Sequence, residues 1–288
     1  MKKLVSLLFF LLLACKSNPI ESKEKINVLF IGNSLTYYHD MPLTLQKMLD
    51  EKGLNFNIEQ STFPGMPLSW HLENIITKKD DDGSIYTRVK NEGEITETES
   101  KIMSKNWDII IMQEGTFNLY FPEVILEVIQ PTIKKIQVLN KNKNCKYIFF
   151  NTWIFKNNNY PLNSICLNKH NFDWKKYYVN EEISDKEKFC SLDILNEIDN
   201  LRILNESLNP IKDNNNLIIT NHPDIHFKIR KFFPEIELYD DDFHPSEVGS
   251  FLNACVFYKL LTNQNPKKLK YIGKLTKETA EIIKKESN

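Results

Sequence analysis

No two of the five cysteines form a Cys-x-x-Cys, so a zinc ribbon or a thioredoxin-like redox centre has no support in this chain. The eight glycines are scattered and build no phosphate-cradling loop, and no nucleotide cofactor is implied. A dominant charge is missing as well. The formal net charge is −1, and no basic run is interleaved with aromatics, which leaves nucleic acid without a sequence signal as a partner. There is no internal repeat. What is present is 288 residues with 41% hydrophobic content, enough to bury one substantial core.

The N-terminus carries its own pattern. Met1-Lys2-Lys3 is a basic start, and Leu4 to Leu13 is an apolar segment too short to span a bilayer as a mature helix. Leu12-Leu13-Ala14-Cys15 fits a bacterial lipoprotein cleavage box. These residues predict a signal peptide over 1–14, Cys15 as the lipidated first residue, and a polar tether to residue 25. The protein would then sit in the bacterial cell envelope, held to a membrane by lipid. An ordinary secretory signal with an incidental Cys15 is the alternative. Outside the cytoplasm disulfides become possible, and Cys166 with Cys190 is the first pair to examine. Cys145 and Cys255 lie in apolar runs, where buried free thiols are more frequent.

From residue 26 onward strands and helices alternate, which argues for one domain (26–288) with a mainly parallel sheet of about five strands covered on both faces, a three-layer α/β/α sandwich. Strands are predicted at Ile26 to Ile31, Phe56 to Thr62, Trp107 to Met112, Lys146 to Asn151 and Leu217 to Thr220. Helices are predicted at Pro42 to Lys52, Ser69 to Lys79, Pro122 to Lys141 with a break or kink at Pro131, Ile194 to Leu208, Pro223 to Phe233, Ser246 to Leu261 and Thr276 to Lys285. Asp80-Asp81-Asp82-Gly83 reads as a charged turn, with 84–100 a surface excursion. Residues 152–190 read as an insertion rich in Asn, Lys and aromatics. Trp153, Tyr160, Phe172, Trp174, Tyr177 and Tyr178 either stack on a planar substrate such as a sugar or pack the insertion onto the domain.

Two short motifs carry chemistry. Gly32-Asn33-Ser34-Leu35 follows the first strand, placing Ser34 on the turn into the next helix at the carboxyl edge of the sheet. Asp241-Asp242-Phe243-His244-Pro245-Ser246 lies near the C-terminus, and its Asp-x-x-His spacing lets one tight turn aim a carboxylate and an imidazole at the same place. A serine hydroxyl is a poor nucleophile until an imidazole takes its proton and a third group fixes the imidazole's tautomer, and these motifs supply all three parts. Ser34 as a plain helix N-cap is the alternative for the first motif. Asp240 and Asp242 flank the chosen Asp241 and are assigned to solvent.

Gly-Asn-Ser-Leu resembles the first block of the SGNH (GDSL-like) hydrolases, with Asn33 where many members have Asp, and Asp-x-x-His-Pro-Ser resembles their last block. Gly249 to Tyr258 is similar to the helix after this histidine in a bacterial subgroup. The resemblance implies a flavodoxin-like SGNH fold and a serine esterase acting on short-chain esters, O-acetyl or carbohydrate-linked among them. It also implies an oxyanion site built from the backbone N–H of Ser34, that of Gly65 in Phe63-Pro64-Gly65-Met66, and an amide N–H of Gln113. The Gly-x-Asn-Asp of many members is missing after the third strand, and Asn118 is the alternative to Gln113. An acyltransferase on the same scaffold and a non-catalytic carbohydrate-binding surface lipoprotein are the competing functions. His39 is a pocket-border or surface residue, His71 and His170 have no assigned role, and His222 with His226 have helical metal-ligand spacing without a third ligand.

Overall fold

Strands that read as unbroken apolar runs are buried on both faces, and their alternating side chains divide the core in two. The computed structural model describes residues 24–169 and 184–287. Its strands are β1 (Ile26–Gly32), β2 (Phe56–Thr62), β3 (Asn74–Lys79), β4 (Ile85–Val89), β5 (Ile109–Gln113), β6 (Lys146–Phe150), β7 (Cys166–Asn168), β8 (Lys188–Cys190) and β9 (Leu217–Ile219). Five of them form an all-parallel sheet in the order β2-β1-β5-β6-β9. Val28, Phe30, Ile109, Ile111, Ile148 and Phe150 face one layer, with helices Met41–Glu51 and Glu247–Thr262. Leu29, Ile31, Ile110, Met112 and Phe149 face the other, with helices Gln130–Leu139 and Glu197–Glu206. Parallel strands joined by helical crossovers need both faces covered, and these layers do that.

The chain runs outward from β1 to β2, then returns to the other side of β1 to lay down β5, β6 and β9. The strand order therefore reverses between β1 and β5. At such a switch point the connections leave in opposite directions and open a crevice at the carboxyl ends of the strands.

Three local expectations are corrected or refined. The helix predicted over Ser69 to Lys79 is one short turn, Trp70–Glu73, after which β3 pairs antiparallel with β4 as a hairpin whose tip is the predicted Asp-rich turn. Ile75, Ile76 and Thr77 are β-branched and favour an extended chain over a helix. The surface excursion also contains helix Glu97–Met103, started by a capping box between Thr96 and Glu99. At Pro131 the helix does not break. A π-helical segment, Ile125–Ile129, precedes helix Gln130–Leu139 and takes up the misfit caused by a residue with no N–H to donate.

Cys166 and Cys190 are disulfide-bonded and face each other across the β7–β8 pair, while Cys145 and Cys255 are free and buried. The signal-peptide, Cys15 and tether assignments up to residue 23 lie outside the described residues, as do His170, Phe172, Trp174, Tyr177 and Tyr178.

Candidate active site

The switch point gathers the predicted residues. β1 ends at Gly32, and Asn33 caps the short helix Ser34–Tyr37 by accepting the Leu35 N–H on its side chain at 3.1 Å. That puts Ser34 at a helix start, mostly buried at 8% exposure but lining the crevice. On the far side, Asp241 Oδ1 accepts the N–H groups of Phe243 and His244 at 2.8 and 2.7 Å, closing the tight turn the spacing predicted. Its Oδ2 meets His244 Nδ1 at 2.6 Å, and His244 Nε2 meets Ser34 Oγ at 2.8 Å. Burial opposes ionisation of Asp241, but the two N–H donors and the imidazole hold its carboxyl below the usual range. Nδ1 facing a carboxylate is the N–H, which leaves Nε2 as the acceptor for the serine proton.

The imidazole is held by more than the aspartate. Tyr38 stacks on it at a ring separation of 4.1 Å and an angle of 2°, and Phe243 lies at 4.1 Å and 40°. Trp153, fully buried, donates its indole N–H to the Phe243 carbonyl at 3.0 Å and so braces the turn from behind. Trp153 and Tyr160 thus take the packing role, with Tyr160 bonded to Asn158 and Asn200. Of this stretch Phe155 reaches the crevice.

Asp240 and Asp242 are not simply solvated. Asp240 pairs with His39 at 2.6 Å, and Asp242 accepts from the Asn157 amide at 2.6 Å. His39 is therefore a tie between the serine and histidine loops and does not line the crevice. His39 and Asp40 both adopt left-handed backbone, at φ 49° and 53°, a strained conformation outside glycine that turns Tyr38 onto the imidazole.

The third-block residue differs from the expectation. The Gln113 amide donates to the Glu114 carbonyl at 2.6 Å, and its oxygen accepts the Asn33 N–H at 2.8 Å and the Thr36 hydroxyl at 3.0 Å. Gln113 is 1% exposed and lies behind the serine loop as its support. By strand alternation the next residue turns the other way, and the crevice is lined by Glu114, Gly115, Thr116, Phe117 and Asn118. Asn118, the alternative, is the third-block amide on the crevice wall with Ser34 and Gly65. Gly65 sits at φ 60° after Pro64, with the Met66 N–H bonded to the Phe63 carbonyl at 3.3 Å, the Pro-Gly turn that needs a left-handed third residue.

Gly32 has no room for a side chain. A Cβ there would stand 2.5 Å from Gln113 Oε1 and 2.6 Å from the Thr36 hydroxyl. Gly32→Ala should displace Gln113, release the Asn33 N–H, and cost about 1–3 kcal/mol in a urea titration. A variant as stable as wild type would show that Gln113 is not packed as described. The Gly32 carbonyl is itself held by His71 Nε2 at 3.1 Å, whose Nδ1 contacts the Thr98 hydroxyl at 2.9 Å. Burial lowers the His71 pKa to about 4, so it is a neutral brace. Tyr38, His71 and Glu114 were not singled out as site residues in the sequence: the ring partner of Tyr38 and the hydrogen-bond partners of His71 are remote along the chain, and Glu114 joins its own loop to the distant Leu68.

His222 and His226 are turned into the core: His222 Nδ1 meets the Thr220 hydroxyl at 2.7 Å, and His226 Nε2 meets Asn253 Oδ1 at 2.8 Å while its ring stacks on Trp153. Among the described residues no group of three potential ligands is placed to hold a metal.

The crevice encloses about 790 Å³. Its walls include Leu35, Tyr37, Tyr38, Pro64, Phe117, Phe155 and Phe243, and the tip of the β3–β4 hairpin adds Asp82 to Ser84. Among the described residues no lysine or arginine lines it.

No protein-family model matches the sequence, and no curated protein does. Among solved structures, a DUF4886 family protein from Bacteroides uniformis superposes with a TM-score of 0.64 at 15% identity, covering 92% of this chain and 93% of that one. The chain shares the α/β fold of that protein, with its five-stranded parallel sheet between two helical layers. Two further solved structures are more distant. A proposed SGNH hydrolase from Slackia heliotrinireducens matches at a TM-score of 0.49 and 15% identity, over 83% of this chain and all of that one. A proposed GDSL-like lipase from Parabacteroides merdae matches at 0.49 and 11%, over 84% and 97%.

Proposed function

We propose that this protein is an SGNH-type serine esterase for short-chain esters. The observation that carries the reading is the continuous line of contacts from Asp241 through His244 to Ser34. In the proposed reaction His244 Nε2 takes the proton of Ser34 as Oγ attacks the ester carbonyl, and Asp241 stabilises the imidazolium that forms. Collapse of the tetrahedral intermediate expels the alcohol, which receives the proton from His244, and leaves an acyl-serine. Water, activated by the same imidazole, then releases the acid. The oxyanion would be received by the N–H groups of Ser34 and Gly65 and by the Asn118 amide in place of Gln113, each donor contributing about 3 kcal/mol to barrier lowering.

Aromatic walls and the lack of lysine or arginine among the described lining residues favour uncharged esters, acylated sugars included, over anionic ones. A panel of chromogenic acetate to octanoate esters and O-acetylated sugars tests the reading. Absence of turnover on every member by a folded protein would sink it. The lipid anchor belongs to the same proposal and rests on Leu12-Leu13-Ala14-Cys15. Cys15→Ser should abolish metabolic labelling by palmitate and release the protein from membranes, whereas wild type should resist a salt wash. Labelling that persists in the variant rules the anchor out.

A further inference from the structure

Glu114 is a buried carboxyl at the heart of the crevice that the proposed chemistry leaves without a task. It is 2% exposed and immediately follows β5. Oε2 accepts the Leu68 N–H at 2.9 Å, and Oε1 accepts the Gly115 N–H at 2.7 Å and one N–H of the Asn118 amide at 3.0 Å. These donors belong to the two loops that carry Gly65 and Asn118. The Gly65 loop has a second tether, from Asn33 Nδ2 to the Met66 carbonyl at 3.4 Å. An amide nitrogen has two hydrogens, so the bond to Glu114 fixes the Asn118 amide plane and leaves its second N–H to the crevice.

We propose that Glu114 is a positioning residue for the oxyanion site, its two carboxyl oxygens clasping the Gly65 loop and the Asn118 amide so that their N–H groups converge on the carbonyl attacked by Ser34. The inference rests on the esterase reading above. Gln113 and Glu114 then act as a pair: adjacent residues on opposite sides of one strand end, the first holding the serine loop, the second the two loops opposite. A neutral glutamine is nearly isosteric, but its NH2 faces an N–H donor at one of these contacts and cannot accept there. Burial raises the Glu114 pKa to about 7 against the pull of its three donors. A buried carboxyl with that tendency is a poor choice for packing alone and a good one for accepting several N–H groups at once.

The test uses the full chain, p-nitrophenyl acetate turnover and the rate of Ser34 labelling by a fluorophosphonate. Glu114→Gln should lower kcat by about 10- to 100-fold with KM within about twofold, and slow labelling in parallel, since oxyanion donors act mainly in the transition state. Circular dichroism should show the variant folded. Asn118→Ala should also lower kcat, and the double variant should lose less than the product of the two single losses, because both act on one amide. Independent, multiplying losses overturn the proposal, as does an Asn118→Ala variant with wild-type kcat or a Glu114→Gln variant whose kcat is unchanged. An active wild type with unaffected variants refutes this proposal only; a wild type that neither turns over the ester nor is labelled refutes the esterase reading and the clasp with it.

Discussion

Ser34→Ala will reduce ester turnover by about 10⁴- to 10⁶-fold while shifting stability by no more than about 1 kcal/mol, because it removes one hydroxyl at the crevice wall and opens no cavity in the core. His244→Ala should match it, since a serine without its base returns to being a weak nucleophile. Asp241→Asn should cost about 10⁴-fold: an amide NH2 facing Nδ1 favours the tautomer whose Nε2 carries the proton and cannot accept one from Ser34. The three losses should not multiply, because the contacts at 2.6 and 2.8 Å make one unit. Each is read from kcat and KM with circular dichroism as the folding control. Near wild-type turnover by folded Ser34→Ala would move the nucleophile elsewhere whatever the fold.

The second large effect is on stability against acid. Burial lowers the pKa of His71 from 6.5 to about 4 and that of His226 to about 3, and burial together with the neighbouring His226 lowers that of His222. Below pH 6.5 the unfolded chain binds protons that the folded chain refuses, so stability present above pH 6.5 is lost as the pH falls toward these values. Glu114 works in the opposite sense. Its pKa is raised from 4.5 to about 7, so its contribution is present below pH 4.5 and is lost as pH rises through 7. His71 and His226 together outweigh the one glutamate by about 1.5 kcal/mol between pH 6.5 and 5, and His222 adds to the loss in the same direction. Urea titrations across that range should show it. His71→Phe and His226→Phe should each flatten the profile, and a stability curve level from pH 6.5 to 5 would mean that these imidazoles are not buried as described.

The sequence showed most of the frame and the centre of the site, for physical reasons. β1, β5 and β6 are largely apolar runs bounded by turn residues, as buried central parallel strands need, while the edge strands β2 and β9 are partly exposed and β2 carries polar side chains. Ser34, Asp241 and His244 are held by local geometry, a strand-to-helix turn and a three-residue loop, so each motif carries its own placement. The hairpin of β3 and β4 was missed because Trp70 to Leu72 begins as a helix before the β-branched run takes over, and pairing with β4 decides the outcome. Gln113 was placed by resemblance on the crevice wall, one residue short of where the strand's alternation turns the chain. Tyr38 against His244 and Trp153 against Phe243 are contacts between distant segments, for which no local pattern exists.

The β3–β4 hairpin has an implication for how such a protein could change. Every group in the proposed reaction follows the end of a strand of the five-stranded sheet or sits in the histidine turn braced against the core. Asp82, Gly83 and Ser84 instead reach the crevice from a two-stranded arm paired only with itself. Lengthening or recolouring that arm would reshape what enters without disturbing the sheet, so diversification among relatives should concentrate there, with the chemistry inherited unchanged.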